Sequence, residues 1–306
     1  MQSFRVIGCL SFALFLCASG LAQDSSPLGG QSLKYINIRD TELAYTEQGK
    51  GEAVILVHGG LGDYRTWAAQ MTPLSKYFRV IAYSRRFHFP NKWVGDASDY
   101  SLKLHAGDLI AFIHALGRGP VHLVGHSYGG AVAAIAAAAH PELIRSLVLI
   151  EPRLLQLLPK TPETDTYHAE RRELTQRVLG LLRAGDEKQA VKSFLTFTRG
   201  AVGEEKISAS VLEVMEDNVH TLRPMLAAVE PPNTFVCEDA QRIRAPVLLV
   251  SGELSPKIYA PLMTQLQKCL QKSEQVTISG SSHGVMQENP QDFNGTVLKF
   301  LRRHKN

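Results

Sequence analysis

The sequence lacks the features that mark several large classes of protein. Only 4 of its 306 residues are cysteine, which excludes a disulfide-dense miniprotein. It contains no H-E-x-x-H, no paired C-x-x-C and no P-loop spacing, so neither a metal nor a nucleotide cofactor is implied. It also has no dense run of lysine and arginine, which argues against nucleic acid as a partner. An apolar content of 44% and a charged content of 20% are instead typical of a globular protein.

The first 22 residues have the pattern of a secretory signal peptide. Arg5 supplies a positive charge, residues 6–16 are apolar apart from one serine, and small residues follow in Gly-Leu-Ala. We therefore expect cleavage before Gln23 and export to the periplasm or out of the cell. An uncleaved membrane anchor is the alternative, but the apolar run is short for a span of about 20 residues. No other segment is apolar for long enough to cross a bilayer, so no membrane span is expected after removal of the leader.

The chain that follows the leader starts with a flexible segment. Residues 23–32 are rich in serine, glycine, proline and glutamine and are typical of a linker. Two cysteines remain after the leader, Cys237 and Cys269. An exported protein can form a disulfide, but the sequence leaves open whether these two pair or stay as free thiols.

Short apolar runs alternate with helical patterns along the rest of the chain. Runs such as AVILV at residues 53–57 are apolar throughout, as strands buried on both faces are. The alternation predicts an α/β fold with a mostly parallel, doubly wound sheet of about eight strands. We expect this core to comprise residues 33–152 and 238–306. Residues 153–237 contain helical patterns without a convincing strand, which predicts a helical insertion after strand six.

A serine follows one of the apolar strands in a glycine-rich turn. Residues 125–129 read Gly-His-Ser-Tyr-Gly, which fits G-x-S-x-G between a strand and an alanine-rich helical run. Such a sharp turn strains its corner residue and needs small neighbours, and it exposes the serine hydroxyl at the start of a helix. The pattern predicts that Ser127 is a nucleophile, whereas a glycine-rich turn whose serine only caps the helix is the alternative.

A base for that serine is expected on the loop after the last strand. His283 lies there in Ser-Gly-Ser-Ser-His-Gly, and the carboxyl ends of parallel strands meet at one edge of a sheet. His58, which follows strand three, is expected to support its own loop instead. The backbone N–H groups of Tyr128 and Gly60 are candidates for an oxyanion hole, since a tetrahedral intermediate needs fixed donors.

Three motifs together resemble those of the α/β-hydrolase superfamily. They are HGG after strand three, GHSYGG at the serine turn and SSHG after strand eight, and the resemblance covers residues 33–306. It implies that the helical insertion is a cap over the active site. It also implies that nucleophile, acid and histidine follow one another in that order along the chain.

The acid is where the sequence departs from the superfamily pattern. Members similar to this chain have an Asp after strand seven, but Ser255 holds that position here. Glu151, at the end of the sixth strand, is the favoured substitute, because an unpaired carboxylate would be costly to bury there. Glu253 is the alternative acid, and the absence of a functional acid is the third possibility.

These residues predict a cofactor-independent hydrolase of small esters or related acyl compounds. Ser127, His283 and Glu151 would form a catalytic triad that works through an acyl-enzyme. Hydrolysis of carbon–carbon bonds and perhydrolysis remain open, since both can use the same side chains. A non-catalytic protein that binds a small molecule on a hydrolase scaffold is the alternative from a different class. The fold itself carries no information about the substrate.

Overall fold

The computed structural model describes Met1 and residues 32–306, apart from Val94 and Arg118. The predicted leader and nearly all of the predicted linker therefore lie outside the described residues, and both stay predictions.

A single sheet of eight strands forms the centre of the protein. Its order is β1-β2-β4-β3-β5-β6-β7-β8, with β1 and β2 antiparallel to their neighbours and the other strands parallel. This is the mostly parallel, doubly wound arrangement that the sequence predicts. The strands are β1 Lys34–Ile38, β2 Thr41–Gln48, β3 Ala53–Val57, β4 Arg79–Tyr83, β5 Val121–His126, β6 Ile144–Ile150, β7 Val247–Gly252 and β8 Ser273–Ile278.

Helices cover both faces of the sheet. The helices of this part are α1 Ala68–Ser75, α2 Leu102–Ala115, α3 Ser127–Ala139, α8 Cys237–Arg242, α9 Tyr259–Cys269, α10 Val285–Glu288 and α11 Pro290–Arg303. Along β3, Ile55 and Val57 pack on the face covered by α2, α3 and α9, whereas Val54 and Leu56 pack on the face covered by α1 and α11. This alternation explains why the strand is apolar throughout.

Residues 153–236, between β6 and α8, are mostly helical and contain no strand among those that the structure describes. Its first long helix begins after Thr161, whose side chain accepts a hydrogen bond from the backbone N–H of Thr164, with Pro162 in the first turn. The helices are α4 Pro162–Arg183, α5 Glu187–Glu205, α6 Ala209–Asp217 and α7 Leu222–Ala227. In α5 the helical geometry is interrupted at Gly200, which has a positive φ of 71°. We refer to this helical segment as the cap.

A disulfide joins the start of α8 to the end of α9. Cys237 and Cys269 are bonded, with their Cα atoms 5.1 Å apart. The pairing that the sequence leaves open is thus present in the structure. Across the described residues, no helix combines the length and the apolar character needed to traverse a bilayer.

Candidate active site

Ser127 stands at the junction of β5 and α3. Its φ of 52° lies in the left-handed region, which is strained for a side chain other than glycine. The turn is so tight that a Cβ on Gly129 would lie 2.2 Å from the carbonyl oxygen of His58, and one on Gly125 would lie 2.7 Å from that of Gly129. Glycine is therefore required on both sides of the serine, as the motif predicts.

Glu151 and His283 meet at the carboxyl edge of the sheet. The Nδ1 atom of His283 lies 2.6 Å from Oε2 of Glu151, and the other carboxylate oxygen accepts from the backbone N–H of Gly252 at 3.0 Å. Glu151 is fully buried at the end of β6 and His283 is 4% exposed. The structure thus joins two residues that lie 132 positions apart in the sequence.

Burial controls the protonation of this pair. It raises the pKa of the Glu151 carboxyl to about 7. Burial, together with the charge of the nearby Arg199, lowers the pKa of the His283 imidazole to about 3. His283 is therefore uncharged at neutral pH, as a general base must be. With Nδ1–H donated to Glu151, its Nε2 is left as the proton acceptor.

The ring of His283 contacts two other rings. Tyr259 stacks on it with centroids 4.5 Å apart and an interplanar angle of 13°, and its hydroxyl lies 3.3 Å from Nε2. Since the rings are nearly parallel, this hydroxyl lies over the imidazole face and leaves the in-plane lone pair of Nε2 free. The His126 ring lies 4.6 Å from that of His283, and its Nε2 donates to the carbonyl oxygen of His283 at 2.8 Å. The sequence gives no signal for the position of Tyr259.

Ser127 and His283 line one cavity. Within the part of the chain that the structure describes, no hydrogen bond joins the Ser127 hydroxyl to His283. Catalytic hydrogen bonds are often long in a free enzyme and shorten when substrate binds. The role of each residue in catalysis stays a prediction.

The other candidate acid points elsewhere. Glu253 is exposed, and its Oε2 accepts from the backbone N–H of Gly280 at 2.8 Å. It therefore supports the loop that precedes His283 without bonding the imidazole. Among the described carboxylates, Glu151 is the one hydrogen-bonded to His283.

The loop after β3 is held rigidly against the cavity. The ring of His58 accepts from the backbone N–H of Arg85 at 2.9 Å and donates to the carbonyl of Gly59 at 2.9 Å. The guanidinium of Arg85 also donates to the Gly59 carbonyl at 2.9 Å. His58 thus supports this loop, as expected. Gly60 and Tyr128, whose N–H groups are the predicted oxyanion donors, both line the cavity.

The cap closes the cavity from above with mostly apolar side chains. A Cβ on Gly60 would lie 2.9 Å from Sδ of Met225, so core and cap approach closely here. Three arginines, which the sequence analysis did not single out for this cavity, also line it: Arg153, Arg171 and Arg199. The apolar lining from the cap includes Leu174, Phe194, Val214, Met215 and Met225. In the described residues, no group of three or more His, Cys, Asp or Glu side chains is placed to hold a metal ion.

Comparisons with known proteins agree with this architecture. A family model described as "Alpha/beta hydrolase family" matches residues 54–296. The chain is 24% identical, over 84% of its length and 93% of the relative, to (E)-2-((N-methylformamido)methylene)succinate hydrolase from Acinetobacter baylyi. It is 24% identical, over 88% of its length and 91% of the relative, to 2-hydroxy-6-oxo-6-(2'-aminophenyl)hexa-2,4-dienoic acid hydrolase from Metapseudomonas resinovorans. A thermophilic esterase from Thermogutta terrifontis superposes with a TM-score of 0.72 at 21% identity, covering 90% of this chain and 100% of the esterase.

Proposed function

The chain belongs to the alpha/beta hydrolase family, and from this premise we propose that it is a serine hydrolase that cleaves esters or related acyl compounds. Its relatives are hydrolases, so hydrolysis is the reaction class. The observation that carries the proposal is the 2.6 Å contact between His283 and Glu151 beside the strained serine. An imidazole held this way by a carboxylate, in a cavity shared with a serine at a sharp turn, is the arrangement that activates a hydroxyl.

The proposed reaction proceeds through a covalent intermediate. The hydroxyl oxygen of Ser127 attacks the carbonyl carbon of the substrate while Nε2 of His283 takes its proton. The oxyanion that forms accepts hydrogen bonds from the N–H groups of Tyr128 and Gly60. His283 then gives the proton to the leaving alkoxide, so the ester bond breaks and an acyl-enzyme remains.

Water completes the cycle. His283 removes a proton from a water molecule, whose oxygen attacks the acyl carbon and releases the carboxylic acid. The proton returns to Ser127. Throughout, the Glu151 carboxylate holds Nδ1–H and stabilises the imidazolium that forms in both steps. Hydrolysis of a carbon–carbon bond would use the same three side chains, and a panel of substrates separates the two reactions.

Replacing the nucleophile tests the proposal directly. We expect Ser127→Ala to lower the turnover of p-nitrophenyl acetate at least about a thousandfold and to abolish covalent labelling by a fluorophosphonate. Ser98 is exposed, and Ser98→Ala serves as the matched control with wild-type turnover and labelling. Wild-type turnover in Ser127→Ala would refute the nucleophile assignment. A wild-type protein that does not react with the fluorophosphonate would favour a non-catalytic binding protein.

We also propose that the protein is exported. The pattern of residues 1–22 supports this, and so does the disulfide between Cys237 and Cys269, since disulfides persist in oxidising compartments. The mature protein is expected outside the cytoplasm with Gln23 as its first residue. N-terminal sequencing of the protein from each cell fraction measures this, and recovery of the uncleaved chain from the cytoplasm would contradict it.

A further inference from the structure

Two of the arginines that line the cavity, Arg153 and Arg171, differ from the third in their contacts. Arg153 lies two residues after Glu151, and its backbone N–H donates to the carbonyl of Ser127 at 2.9 Å. Its guanidinium lies 5.3 Å from the centre of the Tyr128 ring, next to the serine turn. Arg171 lies on α4 of the cap. In the described part of the chain, neither guanidinium donates a hydrogen bond or forms an ion pair.

Three other buried arginines of this chain are paired with carboxylates, whereas the buried Arg85 donates to the backbone carbonyls of His58 and Gly59 instead. Arg65 bonds Asp63 at 2.7 Å, and Arg86 bonds Asp108 at 2.7 Å. Arg199, the third arginine of the cavity, lies 3.3 Å from Glu288. Pairing offsets the cost of removing a charge from water. Arg153 and Arg171 are half-buried among apolar walls without that compensation, which makes them available to an anion from outside.

The charges of the two guanidinium groups also influence the pKa values of side chains in the same cavity. Burial and, next, the charge of Arg153 lower the pKa of Arg171 to about 10. Burial raises the pKa of Tyr167, another side chain of the cavity wall, and the positive charges of Arg171 and Arg153 act against this rise. Two guanidinium groups that line the same cavity without a carboxylate partner repel each other, and an anion bound between them would relieve that repulsion.

We propose, on the basis of the proposed hydrolase function, that the cavity selects acyl substrates that carry a carboxylate. Arg153 and Arg171 bind this carboxylate while the reacting carbonyl lies at Ser127. A planar guanidinium matches the two oxygens of a carboxylate with paired hydrogen bonds. A singly charged carboxylate also costs less to transfer into an apolar cavity than a doubly charged phosphate.

A matched pair of esters tests this selectivity. Monomethyl adipate and dimethyl adipate have the same chain and differ only in whether the far end carries a charge. We expect the wild type to have a kcat/KM at least tenfold higher, per ester group, for the monoester. Arg153→Met and Arg171→Met are each expected to reduce that preference about 10- to 100-fold, since a charged hydrogen bond contributes about 1.5–3 kcal/mol.

Two further variants refine the comparison. Arg172 is adjacent to Arg171 on α4 but exposed, so Arg172→Met is the matched control and is expected to keep the wild-type preference. Arg171→Lys retains the charge but loses the planar fork, and an intermediate preference is expected. Equal preferences in the Arg171→Met and Arg172→Met proteins would overturn the carboxylate site.

A binding measurement separates this inference from the proposed function. Calorimetric titration of the Ser127→Ala protein is expected to give tighter binding of monomethyl adipate than of dimethyl adipate. This difference should be lost when Arg171→Met is added, whether or not the wild type is catalytic. A wild type that reacts with a fluorophosphonate but binds both esters equally would refute the carboxylate site alone. Stronger inhibition by inorganic phosphate than by adipate would also overturn the assignment to a carboxylate.

Discussion

Glu151 combines an uncommon backbone conformation with a specific set of contacts for its carboxylate. Its backbone has a positive φ of 41°, at the end of a strand whose residues are almost all buried. Such a conformation costs free energy for a residue other than glycine, as it does at Ser127. The surrounding structure offsets this cost at both residues, and it places a carboxylate and a hydroxyl at the same edge of the sheet. We therefore propose that the acid of this chain is Glu151, directly after strand six, whereas the superfamily position after strand seven is Ser255.

Exchanging each candidate acid for its amide tests this location. Glu151→Gln is expected to lower kcat about 10³- to 10⁴-fold, because the amide keeps the shape but cannot stabilise the imidazolium of His283. Glu253→Gln is the matched control and should stay within about threefold of the wild type, since its carboxylate bonds only the backbone of Gly280. The measurement is kcat for p-nitrophenyl acetate at pH 7.5. Similar losses in the two variants, or a larger loss in Glu253→Gln, would contradict the assignment.

Individual strands and helices of the core could be predicted from local pattern. The run AVILV predicts a strand buried on both faces, and β3 is that strand. The serine turn was equally predictable, because its glycines are required by contacts within a few residues of Ser127. The helix after it begins at Ser127, since the corner residue itself starts the helix. Patterns of this kind depend on periodicity and on short-range sterics, which the sequence records directly.

The position of the cap over the core could not be predicted in this way. Arg65 bonds Asp217 of α6 at 2.8 Å across 152 residues of sequence, and Asn218 donates to Asp63 at 2.8 Å. These contacts set where the cap lies, and neither has a local spacing in the sequence that would reveal it.

The positions of Arg171 and Tyr259 could not be predicted either, because these side chains reach the cavity only through the packing of α4 and α9. The sequence already favours Glu151 over Glu253, but the contacts of the two carboxylates with His283 and with Gly280 could be read only from three-dimensional positions.

At the scale of the whole molecule, six of the described histidines are buried. Five of the described histidines lie beneath or within the site with a pKa lowered mainly by burial: His58, His88, His105, His126 and His283. Both ring nitrogens of His105 lack a hydrogen-bond partner among the described residues, so a proton gained there would meet no acceptor. The folded protein therefore keeps these imidazoles neutral at pH values where the unfolded chain protonates them.

The sign of the effect on stability follows from which state binds more protons. Below the ordinary histidine pKa of about 6.5, the unfolded chain binds protons that the folded protein does not bind. Lowering the pH therefore favours unfolding. Each such histidine contributes up to about 1.4 kcal/mol per pH unit. Glu151 acts in the opposite direction, because its raised pKa of about 7 lets the folded protein keep a proton between about pH 4.5 and 7. The five histidines act against this one carboxyl over this window together with His122, whose pKa is also lowered mainly by burial. Burial also raises the pKa of Asp63, which adds to the Glu151 side at lower pH.

We therefore expect the free energy of unfolding to fall steeply as the pH is lowered from 7.5 to 5.5. The loss should amount to several kcal/mol, a large share of the 5–15 kcal/mol that is typical of folded proteins. Urea unfolding followed by circular dichroism at each pH measures this loss.

His105→Leu removes one buried imidazole without breaking a described hydrogen bond. It should reduce the slope of the unfolding free energy against pH by up to about 1.4 kcal/mol per pH unit. His114 is exposed, so His114→Leu should leave the slope unchanged. Stability that is constant or rising on acidification would show that these histidines take up protons in the folded protein as readily as in the unfolded chain.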